Sequence, residues 1–236
     1  MALGRINQGR RTVSLEEGAV PGGPRCPACG APLFVWVETR GWGPREDQVI
    51  DRCENCGLAV PRDAVPDPDG AATVLIGSYG TDAADRLTLR APNAASVQAW
   101  LGAENWAALR KGERELKPSP RSAELLLAKR GLGVGRVRHL AAPGMASMWQ
   151  TLLNLLTFHR NFAPEAIAGR LRPGEGRGRA AYAIDVMVTV LAAVPTAILA
   201  VLIEGAAVLA RRGGVIEIKA DSLPDPERPA SDAEPA

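Results

Sequence analysis

Two short repeats constrain this chain more than anything else in it: Cys26-Pro27-Ala28-Cys29-Gly30 and Cys53-Glu54-Asn55-Cys56-Gly57. Together they hold all 4 cysteines. Two intervening residues let both thiolates of a tight turn face one metal ion, and the glycine after each pair relieves the backbone where it curls beneath the sulfurs. Two such turns complete a tetrahedral four-sulfur shell, which suits Zn(II) best. The expected ligands are therefore Cys26, Cys29, Cys53 and Cys56, in a structural zinc site. Disulfides would need an oxidising compartment, yet residues 1–25 carry Arg5, Arg10, Arg11, Glu16 and Glu17 and no apolar core of a secretory signal. A single redox CxxC fits paired knuckles poorly. A catalytic zinc keeps an open position and uses His or carboxylate ligands, whereas His139 and His159 lie far along the chain. No catalytic residue is assigned.

The net charge of +2 is close to balance, so the chain carries no large nucleic-acid field. Aromatics make up only 4%, against 25 Gly and 19 Pro, a mix that favours short elements divided by turns. Residues 1–25 read as a disordered lead. Residues 26–61 read as a zinc ribbon, with Leu33-Phe34-Val35-Trp36-Val37, Val49-Ile50 and Leu58-Ala59-Val60 as its strands. So small a module draws much of its folding energy from the metal. Trp36 and Trp42 are expected to cover the ribbon core, the alternative being a base-stacking surface. Residues 62–72 form a Pro/Asp-rich linker. Beyond it Thr73–Ile76 and Leu87–Arg90 read as strands, and Asn93 as the cap of a short helix over Ala94–Leu101. Ser119 caps a better-marked helix, with Pro120 at its first position and Gly131 after its end. Val134–Leu140 reads as a strand and Met148–Phe158 as an amphipathic helix.

The stretch Leu87-Thr88-Leu89-Arg90-Ala91-Pro92-Asn93-Ala94-Ala95-Ser96 resembles the late strand and Pro-Asn turn of class I S-adenosylmethionine-dependent methyltransferases. Ala99–Gly102, Asn105-Trp106 and Leu109 are similar to the segment that follows, and Ser119–Gly131 to a later helix of that family. Met148-Trp149-Gln150 and Asn154 extend the likeness. Some members also carry an N-terminal module with two CxxC pairs. The resemblance implies descent from a zinc-ribbon methyltransferase, with residues 73–160 as its α/β remnant. Such an enzyme needs a glycine-rich turn after its first strand and a carboxylate ending the second. Ile76–Thr81 keeps only two glycines, and Pro61–Arg86 is shorter than the roughly 30 residues of one βαβ unit. Glu113-Arg114 stands where relatives often have an Arg-His pair. The cofactor-binding half is thus expected to be missing, and S-adenosylmethionine is not expected to bind.

Residues 161–180 read as a basic connector to a membrane segment over 181–212. Val186–Ile203 has no charge and as a helix reaches about 27 Å, near the lower limit for crossing a bilayer. It reads either as one spanning helix kinked at Pro195 or as two short helices meeting there and re-entering one leaflet. Arg170, Arg172, Arg177 and Arg179 before it, with Arg211 and Arg212 after it, suit two ends held at one anionic surface. Residues 213–220 read as a strand returning to the sheet, which on this reading favours the hairpin, and 221–236 as a disordered acidic tail.

The expected fold class is α+β: a small β zinc ribbon, a truncated α/β remnant and a C-terminal apolar helix or helical hairpin. The expected role is a non-catalytic interaction module held at the bacterial cytoplasmic membrane, ribbon on the cytoplasmic side, with a possible protein partner for the ribbon. The alternative is a methyltransferase acting on envelope or glycan precursors with a partner chain. Nucleic acid is disfavoured as a partner, because Arg40, Arg45, Arg52 and Arg62 are interrupted by Glu38, Glu46, Asp47 and Asp51.

Overall fold

The computed structural model of the chain describes residues 23–39, 48–64, 66–67, 70–83, 86–109, 115–171 and 178–222. The expected disordered lead and tail lie outside these residues, apart from 23–25 and 221–222. The architecture is mixed α+β. Strands β1 (Phe34–Thr39), β2 (Gln48–Arg52) and β3 (Ala59–Pro61) form an antiparallel ribbon in the order β1-β2-β3. Aromatic and β-branched residues fill β1 and β2, and alternation along them turns Val37 and Ile50 inward.

The second unit has α1 (Gly70–Tyr79), β4 (Gly80–Ala83), β5 (Arg86–Pro92), α2 (Val97–Gly102), α3 (Pro120–Ala128), β6 (Leu132–His139), α4 (Ala141–Asn154), α5 (Phe162–Ile167), α6 (Gly178–Leu209) and β7 (Val215–Ser222). Its sheet runs β4-β5-β7-β6, with the last strand in sequence lying antiparallel between β5 and β6. Leu87, Leu89, Ile216 and Ile218 line one face beneath Leu75 of α1 and Leu126 and Leu127 of α3. The same buried cluster continues through Leu58 and Val60 to Cys26, Cys53 and Cys56. The ribbon and the sheet therefore share one core.

Several local expectations change. Thr73–Ile76 is helical, inside α1, rather than a strand. A short apolar run does not distinguish the two by period, and here Ala71, Ala72 and Leu75 are buried on one side of a helix. The Asp67 side chain accepts from the Gly70 amide at its start, so the expected linker 62–72 already contains a 3-10 turn (Arg62–Ala64) and the beginning of α1. Asn93 does not cap α2; Ser96 does, accepting from the Ala99 amide at 3.1 Å. Asn93 instead donates to the Gly213 carbonyl at 3.0 Å, holding the turn into β7. The helix read as Met148–Phe158 is α4, which begins earlier and ends at Asn154. The connector contains α5.

The apolar segment follows the first of its two sequence readings, a single continuous helix. It is not two helices meeting at Pro195 but one, α6, of 32 residues running through the proline. Proline costs one backbone bond, and the neighbouring carbonyls find side-chain donors: Thr196 Oγ1 to Ala192 (2.6 Å) and Trp149 Nε1 to Ala193 (3.0 Å). The strand β7 still returns to the sheet. The outward leg is α4 and the return leg is α6, so the chain needs no hairpin at Pro195. Among the described residues, α6 is the one helix long and apolar enough to cross a membrane.

Candidate metal centre

Both knuckles fold the same way because both have the same backbone problem. The Gly30 amide donates to the Cys26 carbonyl and the Gly57 amide to the Cys53 carbonyl, each at 2.8 Å. Closing that turn requires φ of +74° at Gly30 and +75° at Gly57, a region that disfavours a Cβ. The knuckles precede β1 and join β2 to β3, so the ribbon's register brings them face to face. Cys26 Sγ lies 3.5 Å from Cys56 Sγ, and Cys29 Sγ lies 3.4 Å from Cys53 Sγ. All four sulfurs fall within 4.8 Å of one another. These separations are too long for disulfides, whose sulfurs sit about 2.05 Å apart. They fit four ligands around one ion.

Electrostatics favour a cation there. The hydrogen bond with Cys56 lowers Cys26 to about 5, against the opposing effect of burial. The same bond, together with burial, raises Cys56, and burial raises Cys53. Thiolate is the metal-binding form of cysteine, and a bound cation would replace the protons of these thiols. The four sulfurs could hold a metal ion and would close a tetrahedral shell, leaving no position for a substrate.

The α/β unit supports the knuckles directly. Ser119 Oγ donates to the Cys56 carbonyl while accepting from the Ser122 amide at 3.1 Å, so one side chain caps α3 and braces the second knuckle. A Cβ on Gly57 would meet that Ser119 side chain. Lys129 Nζ, at the end of α3, donates to the Pro27 carbonyl in the first knuckle at 2.7 Å. The sequence marked Ser119 as a cap but carried no signal for its second role, which depends on a contact 63 residues away.

Among the described residues the other sequence candidates do not assemble into a site. Ile76–Thr81 runs from the end of α1 into β4, the reverse of the strand-to-helix turn that cradles a nucleotide cofactor. Trp36 packs edge-on against buried Trp106 at 6.0 Å, as ribbon cover. Arg62 is engaged by Asp51 at 2.6 Å, and the Arg52 guanidinium lies over the Trp36 ring at 5.2 Å. Trp42, Arg40, Arg45 and Glu113-Arg114 lie outside the described residues.

Two acids missed as structural groups are those bounding the apolar run. Asp185 is fully buried and accepts from the Phe158 and His159 amides (2.7 and 2.9 Å) and pairs with His159 Nδ1 (2.7 Å). Glu204 is equally buried and accepts from Gln98 Nε2 (2.7 Å) and the Gly214 amide (2.6 Å). Helical period was a partial signal for Asp185, since it puts Asp185, Thr196, Ala200 and Ala207 on one side, and gave none for Glu204, which falls about a quarter turn away. No family model, curated protein or solved structure matches the chain.

Proposed function

We propose that this chain is a membrane-associated zinc-ribbon protein that acts as a non-catalytic interaction module. The observation that carries the reading is the outward side of α6. It is apolar along its length, with Met187, Val190, Leu191, Val194, Ile198 and Leu202 all exposed, while both acids of the helix turn inward. An exposed apolar strip of this extent marks an interaction surface. The zinc assignment rests on four sulfurs and a closed shell, and free thiols suit the reducing, cytoplasmic side of a membrane. If the chain descends from a zinc-ribbon methyltransferase, β7 between β5 and β6 would be the returning last strand of its remnant sheet. Among the described residues a 3-10 turn and α1 are the elements between the ribbon and β4, so the competing enzyme reading lacks a βαβ unit to hold its cofactor there.

The test is fractionation with metal analysis. The chain should stay with membranes through a high-salt wash, since apolar burial rather than charge holds it, and should carry about one zinc per chain. Titration with S-adenosylmethionine should show no saturable heat to about 1 mM, equivalent to about 4 kcal/mol of binding. An intact chain that is soluble without detergent would refute the membrane reading. Micromolar cofactor binding would refute the non-catalytic one.

A further inference from the structure

Resting on that membrane reading, we infer that α6 does not cross the bilayer but lies flat in the surface of an anionic leaflet. The argument begins with what backs the helix. The inward side of α6 packs on α4 and on the segments flanking it: Glu204 reaches Gln98 of α2, which also donates to the Gly144 carbonyl of α4 (2.6 Å); Trp149 of α4 reaches Ala193; Asp185 holds Phe158 and His159 just past the end of α4. The other side of α4 is covered as well. Thr151 Oγ1 accepts from the Ala107 amide (3.1 Å), and Asn154 Nδ2 donates to the Asn105 carbonyl (2.9 Å). Between those two residues Trp106 reaches back to Trp36 of the ribbon. The layers therefore run ribbon, Asn105–Ala107 segment, α4, α6.

Placing Val186–Ile203 across a bilayer core of roughly 30 Å would carry α4 in beside it. It would also carry in the buried amides of Asn154 and Asn161 and the Asn105–Ala107 backbone that they bind. Polar groups at that depth are costly. Lying flat removes the conflict, because only the outward side of α6 enters the lipid.

Charge points the same way. Between Arg179 and Arg211 the only charged residues are Asp185 and Glu204, both fully buried. The outward side is therefore uncharged from one end to the other, with Arg179 at its start and exposed Arg211 and Arg212 just past its end. An apolar face with cations at both ends fits an anionic bilayer surface, which takes such helices about 5–10 Å deep. A second copy of the chain would meet like charge at those ends.

The experiment uses the full-length protein and vesicles of phosphatidylcholine with or without phosphatidylglycerol. An environment-sensitive fluorescent amino acid replaces Met187, Val194 or Leu202 singly, and lipids brominated at different depths quench it. The inference expects one common depth at the three positions. It also expects tighter binding to anionic vesicles, weakened roughly fivefold by each of Arg179→Gln and Arg211→Gln. A Val194 probe sitting about 11 Å deeper than the other two would establish a span and overturn the inference while leaving membrane association intact. Equal binding to neutral and anionic vesicles would overturn the lipid assignment. No binding to either vesicle, with a stable soluble dimer instead, would overturn the membrane reading itself.

Discussion

The metal centre and α6 are the two features that stand out in the sequence, and the structure closes one and leaves the other open. Around the four sulfurs most sides are filled: the knuckle turns hydrogen-bond internally, Ser119 and Lys129 brace them from α3, and the surrounding core continues into the sheet, with Cys29 and Gly30 left at the surface. Around α6 only one side is filled. Asp185 and Glu204 anchor that side to the rest of the chain, and among the described residues the opposite side is exposed. The contrast teaches that a marked sequence feature can be marked for different reasons. The cysteines serve the fold. The outward residues of α6 contribute little to it, because apolar surface left in water adds nothing to folding.

The largest expected effect breaks the closed end. Cys53→Ser, or removal of the metal by a chelator, should unfold more than the ribbon, because Cys53 shares a core with Leu75, Leu126 and Ile218. A structural zinc site contributes about 10–16 kcal/mol in small domains, so a loss exceeding about 5 kcal/mol is expected. Hydrogen exchange checks this: protection should fall in α1, α3 and β7 together with β1–β3. A ribbon that unfolds alone would show that the shared core is weak.

Next is the anchored side of α6. Asp185→Ala leaves two backbone amides and a histidine ring nitrogen without their acceptor. Unsatisfied buried groups cost about 1–3 kcal/mol each, so with three of them the substitution should lower stability by at least about 3 kcal/mol in urea unfolding. A smaller change is expected at Ser119→Ala, about 1 kcal/mol for a lost helix cap. Its sharper readout is the metal, since the Cys56 carbonyl loses a donor; chelators should strip the variant faster than the parent.

Smallest in stability is the open side. Leu191→Ser, Val194→Ser and Leu202→Ser together should cost less than about 0.5 kcal/mol per site, mostly helix propensity. The same triple variant should leave the membrane fraction. Stability loss comparable to Asp185→Ala would mean that the outward side is covered within the chain's own assembly, and the comparison would fail.

Capping and turn chemistry were legible where the signal is local. Ser119 with Pro120, and the glycines at Gly30, Gly57 and Gly131 with positive φ, act over a few residues and need no knowledge of the rest. The two cysteine turns were legible for the same reason, since each pair is one turn, and the structure brings all four sulfurs together. Thr73–Ile76 was not, because four apolar residues fit either a strand or a helix until something packs on them. Asn93 was assigned to the wrong task because its true partner, Gly213, is 120 residues away.

The sequence by itself determined which atoms could meet a metal, where α3 begins, and that a long uncharged run follows Asp185. Each is a matter of spacing along the chain. Only the tertiary structure decided that α6 is continuous through Pro195, because α4 packs along that stretch and its Trp149 donates to the Ala193 carbonyl beside the proline. Only it decided that Asp185 and Glu204 face inward, because their donors come from Phe158, His159, Gln98 and Gly214, residues that no local pattern places beside α6. Buried carboxylates go where donors converge, and convergence is a property of the packed chain rather than of any segment in it.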